Sequence, residues 1–238
     1  MSLMMLDKLY IDNKEAIDEK VKGRKIVVTW SGGWDSVALL AYMAYKYGTQ
    51  ENPILAIHHT CSNINNGQRH DEFLARYRAK KRFKELGLPI KYGKAHFEYD
   101  YHFGSKYTGS PQVAMNILAS YFTNRDDVVV CFGYVRNDDM WHEKHYFEQA
   151  YINLCNILGN ENPQILFPFE WTSKQDIYDF LKANNLLRCT TFCESPNGFK
   201  PCGTCGSCER VKHDVPEYKF EEQTTACTDV VDKEELLV

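Results

Sequence analysis

Two glycines that separate a β-branched run from an apolar run form the part of the sequence best suited to binding an anion. Residues 26–29 have the composition of a short buried strand, and residues 37–47 carry apolar side chains at helical spacing. The stretch between them, Ser31-Gly32-Gly33-Trp34-Asp35-Ser36, is called the glycine loop below. Glycines let a ligand approach the backbone closely, and the free N–H groups at the start of a helix attract negative charge. The pattern therefore predicts a phosphate site, with Ser31 and Ser36 as additional hydroxyl donors.

The spacing of the glycine loop narrows the kind of phosphate site. It matches neither the G-x-x-x-x-G-K-[ST] loop of kinase-type enzymes nor the G-x-G-x-x-G turn of dinucleotide-binding folds. An ordinary turn capped by Asp35 or Ser36 is the structural alternative. The string Ser-Gly-Gly-x-Asp-Ser at the end of a first strand resembles the pyrophosphate loop of the N-type ATP pyrophosphatases, the PP-loop superfamily. That resemblance implies an enzyme that adenylates a substrate oxygen and releases pyrophosphate.

Four cysteines late in the chain have the spacing of a structural metal site. They are Cys193, Cys202, Cys205 and Cys208, called the four-cysteine cluster below. Thiolates two residues apart can bind one tetrahedral ion, and four sulfurs complete a closed zinc shell. An iron–sulfur cluster is the alternative that such ligands leave open. The other cysteines of the nine are predicted to be ordinary thiols, with Cys189 as a weaker rival of Cys193.

Strands and helices that alternate along the chain must position these two motifs. The predicted strands are 26–29, 53–59, 90–95, 127–133 and 164–167, and the predicted helices are 6–21, 37–47, 71–86, 111–124, 141–158 and 173–184. Ser173 is the expected N-cap of the last helix, with Asp176 near the capping-box position. This alternation predicts an α/β fold with a doubly wound, mostly parallel sheet. Ligands of such sheets bind at the carboxyl ends of the strands, where the glycine loop lies.

Composition limits the classes of function. The 238 residues suffice for one large domain, or one domain with an appendage. A net charge of −4 gives no general electrostatic case for nucleic-acid binding. No apolar run approaches the roughly 20 residues of a membrane helix. We see no signal peptide, and the odd number of cysteines, nine, favours a reducing compartment, so a cytoplasmic location is expected.

Taken together, the two motifs resemble those of the QueC-type 7-cyano-7-deazaguanine synthases, a family of the PP-loop superfamily. Gly67-Gln68-Arg69-His70 and Thr172-Ser173-Lys174 are similar to two further segments of that family and occur in the same order. The resemblance spans about 24–212. It implies an adenine nucleotide alpha hydrolase-like α/β domain over 1–188, including the N-terminal helix, and a small zinc-binding segment with an acidic tail over 189–238, called the cysteine segment below.

The resemblance also implies a reaction. The family converts 7-carboxy-7-deazaguanine to a nitrile with ammonia and ATP, a carbon–nitrogen ligase reaction of queuosine biosynthesis. The carboxylate attacks the α-phosphate to give an acyl-adenylate and pyrophosphate, ammonia forms the amide, and a second activation followed by loss of AMP gives the nitrile. ATP, Mg²⁺ and Zn²⁺ are therefore the expected cofactors. A small 7-deazaguanine-type substrate and ammonia are the expected partners, with no membrane or direct nucleic-acid contact.

The same resemblance assigns roles to individual residues. The candidate catalytic residues are Ser31, Asp35, His70 and Lys174. Lys174, with Arg69, is expected to neutralise negative charge, His70 is a candidate for proton transfer, and magnesium binding or helix capping is expected of Asp35. The expected ATP-binding residues are Ser31, Gly32, Gly33, Asp35, Ser36, Ile57, His58, Arg69 and Gly133, with the backbone at Ile57 and His58 meeting adenine. Tyr134, Asp138 and Asp139 are expected to contact the acceptor substrate.

The expected acceptor pocket departs from the family pattern. Residues 108–112, Thr-Gly-Ser-Pro-Gln, stand where the family has Pro-Gly-Arg-Asn, and the segment 137–144 differs as well. Three interpretations stay open: the nitrile synthase, a related adenylating ligase with another acceptor such as a protein amine or a modified base, and a non-catalytic zinc-containing nucleotide-binding module. The unbroken glycine loop and Lys174 argue against the third.

Three segments leave their roles open. The aromatic residues of 97–110 suit a lid or a stacking wall, and equally suit packing. The basic residues of the helix predicted at 71–86 are expected to form a solvated face rather than a phosphate site. The acidic tail over 216–238 suits a peripheral helix, a contact in a homodimer or a disordered end.

Overall fold

The computed structural model describes residues 3–4, 6, 9–11, 13–61, 66–97, 125–138, 141–197 and 200–220, with the backbone alone at 59–61, 66–70 and 95–97. The strands are β1 (Lys25–Thr29), β2 (Ile54–Cys61), β3 (Ile90–Phe97), β4 (Val128–Cys131) and β5 (Gln164–Leu166). The helices in this part of the chain are α1 (Lys14–Val21), α2 (Trp34–Tyr47), α3 (Asn66–Glu85), α4 (Lys144–Ile157), α5 (Lys174–Ala183) and α6 (Gly206–Asp214), with a 3₁₀ turn at Leu187–Cys189.

The five strands form one sheet in the order β3-β2-β1-β4-β5, and every pairing in it is parallel. From β1 the chain adds β2 and β3 on one side and then β4 and β5 on the other. The order therefore reverses between β1 and β4, which makes their carboxyl ends the switch point where α/β sheets bind ligands. The prediction of a doubly wound, parallel α/β fold is confirmed.

Alternate residues of β1 face the two sides of the sheet, as a strand's period of two requires. Ile26 and Val28 belong to the larger apolar cluster, which includes the buried face of α2. Val27 belongs to a second cluster with residues of β4 and α4. Val211, Val215 and Tyr218 of the cysteine segment are part of the larger cluster. The cysteine segment is thus packed on the main core.

The largest differences from the predicted elements are at helix starts. Helix α1 begins at Lys14 rather than at residue 6 because Asn13 has a left-handed backbone, φ 52°, which a helix cannot continue through. Helix α2 begins three residues earlier than predicted, and α3 begins at Asn66 rather than 71 despite the turn-forming residues there. Helix α4 begins at Lys144 rather than 141, and α6 was not predicted. The predicted helix at 111–124, the aromatic loop after Phe97 and the tail beyond 220 lie outside the described residues.

Helix α5 confirms the capping prediction. The Ser173 side chain accepts the Asp176 N–H, and the Asp176 carboxylate accepts the Ser173 N–H, which completes a capping box. Because the box fixes the start of α5, it also fixes the direction of Lys174, the first residue of the helix. Among the described residues, no helix has both the length and the apolar composition needed to cross a membrane.

Candidate functional site

The glycine loop lies at the switch point, and two glycines make close packing around it possible. Gly32 has φ +100°, and a Cβ on it would lie 3.0 Å from the carbonyl oxygen of Glu72. A Cβ on Gly133, after β4, would lie 3.2 Å from the backbone nitrogen of Ser36. Helix α3 and the end of β4 therefore approach the loop so closely that a side chain at either glycine would force its neighbours to shift.

Hydrogen bonds inside the glycine loop hold it in a turn. The Ser36 hydroxyl donates to the Gly33 carbonyl at 3.1 Å and accepts the Ser31 N–H at 3.2 Å. The Gly33 N–H donates to the Ser31 hydroxyl at 3.1 Å. Gly33 is the N-cap of α2, so Asp35 lies inside the first turn and caps nothing, and that alternative for Asp35 was wrong. The arrangement leaves the positive end of the α2 dipole at the exposed side of the loop.

Arg76, on α3, supports the glycine loop, and the sequence analysis did not identify it as a residue of the site. Its guanidinium donates to the Ser31 carbonyl at 2.6 Å and lies 3.5 Å from the Glu72 carboxylate. Burial lowers the pKa of Arg76 to about 10, against the opposing effect of Glu72, so the side chain stays charged at neutral pH. The prediction of a solvated basic face is wrong for this residue, which is 8% exposed. Its position at helical spacing from the buried Ala79 and Phe83 is the signal that could have revealed it.

Charged residues from three helices and from the segment after β4 meet at the switch point. Lys174 Nζ lies 2.5 Å from Asp35 Oδ2. Asp138, which follows β4, accepts from Arg210 of α6 at 2.5 Å. Burial raises the pKa of Asp35, Lys174 lowers it, and the negative charge of Asp138 raises it further. The structure therefore brings Asp35, Lys174 and Asp138 together as a group, and it adds Arg210, which the sequence analysis did not single out.

Asp35 offers a ligand atom for a divalent cation. Its Oδ1 is buried and has no hydrogen-bond partner among the described residues, whereas its Oδ2 holds Lys174. A carboxylate oxygen in this situation suits a hard cation such as Mg²⁺. Asp35 Oδ1 could therefore supply one of the ligands of a magnesium ion, with phosphate oxygens and water as the others.

The residues predicted near adenine tie β2 to the start of the glycine loop. The Ile57 carbonyl accepts the Trp30 N–H at 3.1 Å, and His58 Nδ1 lies 3.2 Å from the Trp30 carbonyl oxygen. His58 is buried. Both residues therefore lie beside Trp30, the residue just before the loop, and their contact with adenine stays a prediction.

For the remaining predicted site residues that the structure describes, it shows side-chain packing or backbone position but not a role in the site. The ring of Tyr134 is 6% exposed and packs against Phe132, Phe147 and Phe167, so the acceptor contact expected of it stays a prediction. Arg69 and His70 lie in α3, but their side chains are outside the described part of the structure. Asp139 also lies outside the described residues.

The four-cysteine cluster has the dimensions of a tetrahedral zinc site. Its sulfurs all lie within 4.8 Å of one another, and the Cys193–Cys205 and Cys202–Cys208 pairs are each 3.9 Å apart. Four thiolates at about 2.3 Å from a zinc ion would have sulfur–sulfur edges of about 3.8 Å. The cluster therefore fits zinc in a closed shell. Cys189 is not part of it, and its sulfur instead lies 3.9 Å from the Asn185 carbonyl oxygen.

Backbone N–H groups around the cluster stabilise thiolate charge. The Thr204 N–H bonds the Cys202 sulfur at 3.4 Å and lowers the pKa of that thiol to about 6. Burial raises the pKa of Cys193 to about 11 and also raises that of Cys208. In the absence of a metal, then, Cys202 is ionised at neutral pH and Cys193 is protonated.

No protein-family model matches the chain, and no curated protein matches it significantly. Among solved structures it is similar to a glutamine-dependent NAD⁺ synthetase from Acinetobacter baumannii in complex with ADP, with a TM-score of 0.42 and 14% identity over 70% of this chain and 30% of that one. It is also similar to an NMN synthetase from Francisella tularensis, with a TM-score of 0.34 and 12% identity over 92% of this chain and 97% of that one. The chain thus spans under a third of the length of the first of these proteins.

Proposed function

We propose that the chain is an ATP-dependent ligase that activates a substrate oxygen by adenylation and releases pyrophosphate. The observation that carries the proposal is the meeting of the glycine loop with the Lys174–Asp35 pair at the switch point of the sheet. Adenylation needs charge neutralisation and positioning more than it needs a protein nucleophile. Helix N–H groups, a lysine and a carboxylate beside one another supply those two things.

Each residue would have a defined part in the reaction. The N–H groups at the start of α2 and the hydroxyls of Ser31 and Ser36 would hold the β- and γ-phosphates. A substrate oxygen would attack the α-phosphorus, and the bond to the bridging oxygen would break as pyrophosphate leaves. Lys174 would neutralise the charge that develops on that leaving group. Asp35 would hold Mg²⁺, which supplies further neutralisation of the phosphates when bound.

Arg76 would prepare the loop rather than contact the reacting atoms. Its bond to the Ser31 carbonyl fixes that oxygen on the α3 side of the loop. If the Ser31 carbonyl oxygen faced a phosphate, it would repel it. Because Arg76 holds this oxygen toward α3, the opposite side of the loop is left for an anion. The four-cysteine cluster would have a structural role, because a shell of four sulfurs leaves no open position for a water or a substrate.

For the finer assignment we propose the family reaction, conversion of 7-carboxy-7-deazaguanine to the nitrile with ammonia. The support is the resemblance of the glycine loop, the 67–70 segment, Lys174 and the four-cysteine cluster to that family. A ligase with a different acceptor is the second candidate. The ion pair between Asp138 and Arg210 favours it, because the carboxylate expected to face the base is already occupied.

The experiment is a product analysis of zinc-loaded protein with ATP, Mg²⁺, ammonia and 7-carboxy-7-deazaguanine, followed by mass spectrometry. We expect AMP, pyrophosphate and the nitrile, and loss of all three with Lys174→Met. Lys182→Met is the matched control, since Lys182 is exposed on the same helix. AMP without nitrile would contradict nitrile formation but keep an adenylating ligase, whereas intact ATP would contradict the family reaction and leave the different acceptor and the binding module.

A further inference from the structure

The cysteine segment touches the glycine loop just before its first metal ligand. The Thr191 N–H donates to the Gly32 carbonyl at 3.0 Å, and Thr191 forms a parallel β-bridge with Gly33. The ring of the next residue, Phe192, meets the Trp34 ring edge-on with centroids 5.1 Å apart. Cys193 follows directly. The chain that enters the four-cysteine cluster is therefore bonded to the loop proposed to hold phosphate.

The cysteine segment touches the same edge of the sheet again just after its last ligand. Arg210 lies on α6, two residues beyond Cys208, and donates to Asp138 at 2.5 Å. Both side chains are about one-fifth exposed, 19% and 20%, so solvent screens the pair only in part. The charges of Asp138 and Arg210 both act on Asp35, in the first turn of α2.

These two contacts enclose the metal ligands. All four cysteines lie between Thr191 and Arg210, and α6 begins inside the cluster, with Cys205 as its N-cap. A metal ion bound by the four sulfurs would hold both ends of this stretch at a fixed separation, and it would fix the start of the helix that carries Arg210. Metal binding and the geometry of the glycine loop therefore share the same short piece of chain.

We propose that Arg210 is a positioning residue for nucleotide binding, and that metal bound at the four-cysteine cluster acts through Arg210 and Thr191 to raise the affinity for ATP. This inference rests on the proposed nucleotide site. Arg210 would act through Asp138, because the ion pair with the guanidinium keeps the Asp138 carboxylate beside Asp35 and Lys174. Coupling of this kind is reciprocal, so ATP must raise the affinity for the metal by the same factor.

The test measures binding rather than turnover. We would titrate a non-hydrolysable ATP analogue with Mg²⁺ into zinc-loaded and chelator-treated protein by calorimetry, and follow zinc loss to a chromogenic chelator with and without the analogue. Zinc is expected to tighten nucleotide binding about fivefold to tenfold, in the lower range of couplings between distinct sites. The analogue is expected to tighten zinc binding by an equal factor.

Variants isolate the contribution of Arg210. Zinc-loaded Arg210→Gln is expected to keep its full metal content. It should lose most of the fivefold to tenfold gain in nucleotide affinity that zinc gives the wild type. Arg210→Lys should restore part of the loss, because lysine keeps the charge but not the planar fork of donors. Arg188→Gln is the matched control, since it removes the same charge from an exposed position just before the cysteine segment and is expected to change nothing.

The outcomes separate this inference from the proposed function. Wild-type affinity in zinc-loaded Arg210→Gln would overturn the inference, and so would equal nucleotide affinity in the zinc-loaded and zinc-free wild type. If removal of zinc unfolds the chain, the zinc-loaded variants still decide the question, because they are compared with metal bound. Absence of nucleotide binding in every form would overturn the proposed function together with the inference, whereas binding without coupling would overturn the inference alone.

Discussion

Lys174 and Asp35 are 139 residues apart in the sequence, yet Nζ of one lies 2.5 Å from Oδ2 of the other. The pair joins the first turn of α5 to the first turn of α2, and Lys174 is 9% exposed. Burial raises the pKa of Asp35 even though Lys174 lowers it. Lys174 is therefore the main group that favours the charged form of Asp35 against the effect of burial, which makes the pair sensitive to substitution.

Lys174→Met is expected to affect turnover and stability together. Loss of one group that stabilises the developing charge lowers kcat by about 10²–10³ in comparable sites. Asp35, 20% exposed, would be left without its partner, and the free energy of unfolding should fall by up to about 3 kcal/mol at neutral pH. Steady-state kinetics and denaturant unfolding measure the two effects. A variant with wild-type kcat would remove Lys174 from the proposed mechanism.

The stability defect of Lys174→Met should depend on pH. A protonated Asp35 needs no cationic partner, so the defect is present above the pKa of Asp35 in the variant and is lost as the pH falls through it. Burial already places that pKa above its ordinary value, and removal of Lys174 raises it further. Unfolding of both proteins from neutral to acidic pH measures the change. Adding Asp35→Asn to the variant should abolish the pH dependence, and a defect constant with pH would contradict the assignment.

Arg76→Gln tests the support of the glycine loop. The Ser31 carbonyl would lose a partner at 2.6 Å, and a partly buried acceptor left unpaired costs about 1 kcal/mol or more. If the loop loses a similar amount of free energy of nucleotide binding, KM for ATP rises about fivefold or more. Lys81→Gln is the matched control, because Lys81 is exposed on the same helix. Equal KM values for the two variants would show that Arg76 has no special role.

Arg76 and Arg210 also show where sequence reasoning stops. The glycine loop and the four-cysteine cluster could be predicted because their chemistry depends on residues close together in the sequence. The strands could be predicted because β-branched runs such as 26–29 are buried on both faces of a parallel sheet. Arg210 could not, because its partner Asp138 is 72 residues away and only the folded chain brings them together.

The predictions of where helices begin were wrong for a related reason. Nothing in residues 6–12 rules out a helix, and it is the left-handed backbone of Asn13 that prevents one from running through into α1. Residues 66–70 contain turn-forming asparagine and glycine, yet they continue α3. Local propensity is a weak preference of under about 1 kcal/mol per residue, and the fold overrides it.

Gly32→Ala tests the close approach of α3 to the glycine loop. The added Cβ would lie 3.0 Å from the Glu72 carbonyl oxygen, and φ of +100° already strains any residue with a side chain. Gly87→Ala is a matched control, because Gly87 also has a positive φ, +69°, but no atom lies within 4 Å of its added Cβ. We expect Gly87→Ala to cost about 1–2 kcal/mol of stability and leave ATP turnover unchanged. Gly32→Ala should lower the stability by more than this and should also reduce turnover. If the two substitutions had equal effects on stability and on activity, the contact with α3 would be unimportant.

Metal binding at the four-cysteine cluster should release protons. Near neutral pH without metal, burial keeps Cys193, with a pKa of about 11, and Cys208 protonated, while Cys202, with a pKa of about 6, is ionised. Zinc binds thiolates, so its uptake must displace the protons of Cys193 and Cys208, and its affinity must rise with pH. Calorimetry in buffers of different ionisation enthalpy counts the protons.

Cys205→Ser should abolish tight binding of one zinc ion, whereas Cys189→Ala should keep it, because Cys189 lies outside the cluster. Loss of zinc in Cys189→Ala, or uptake without proton release, would contradict the ligand set.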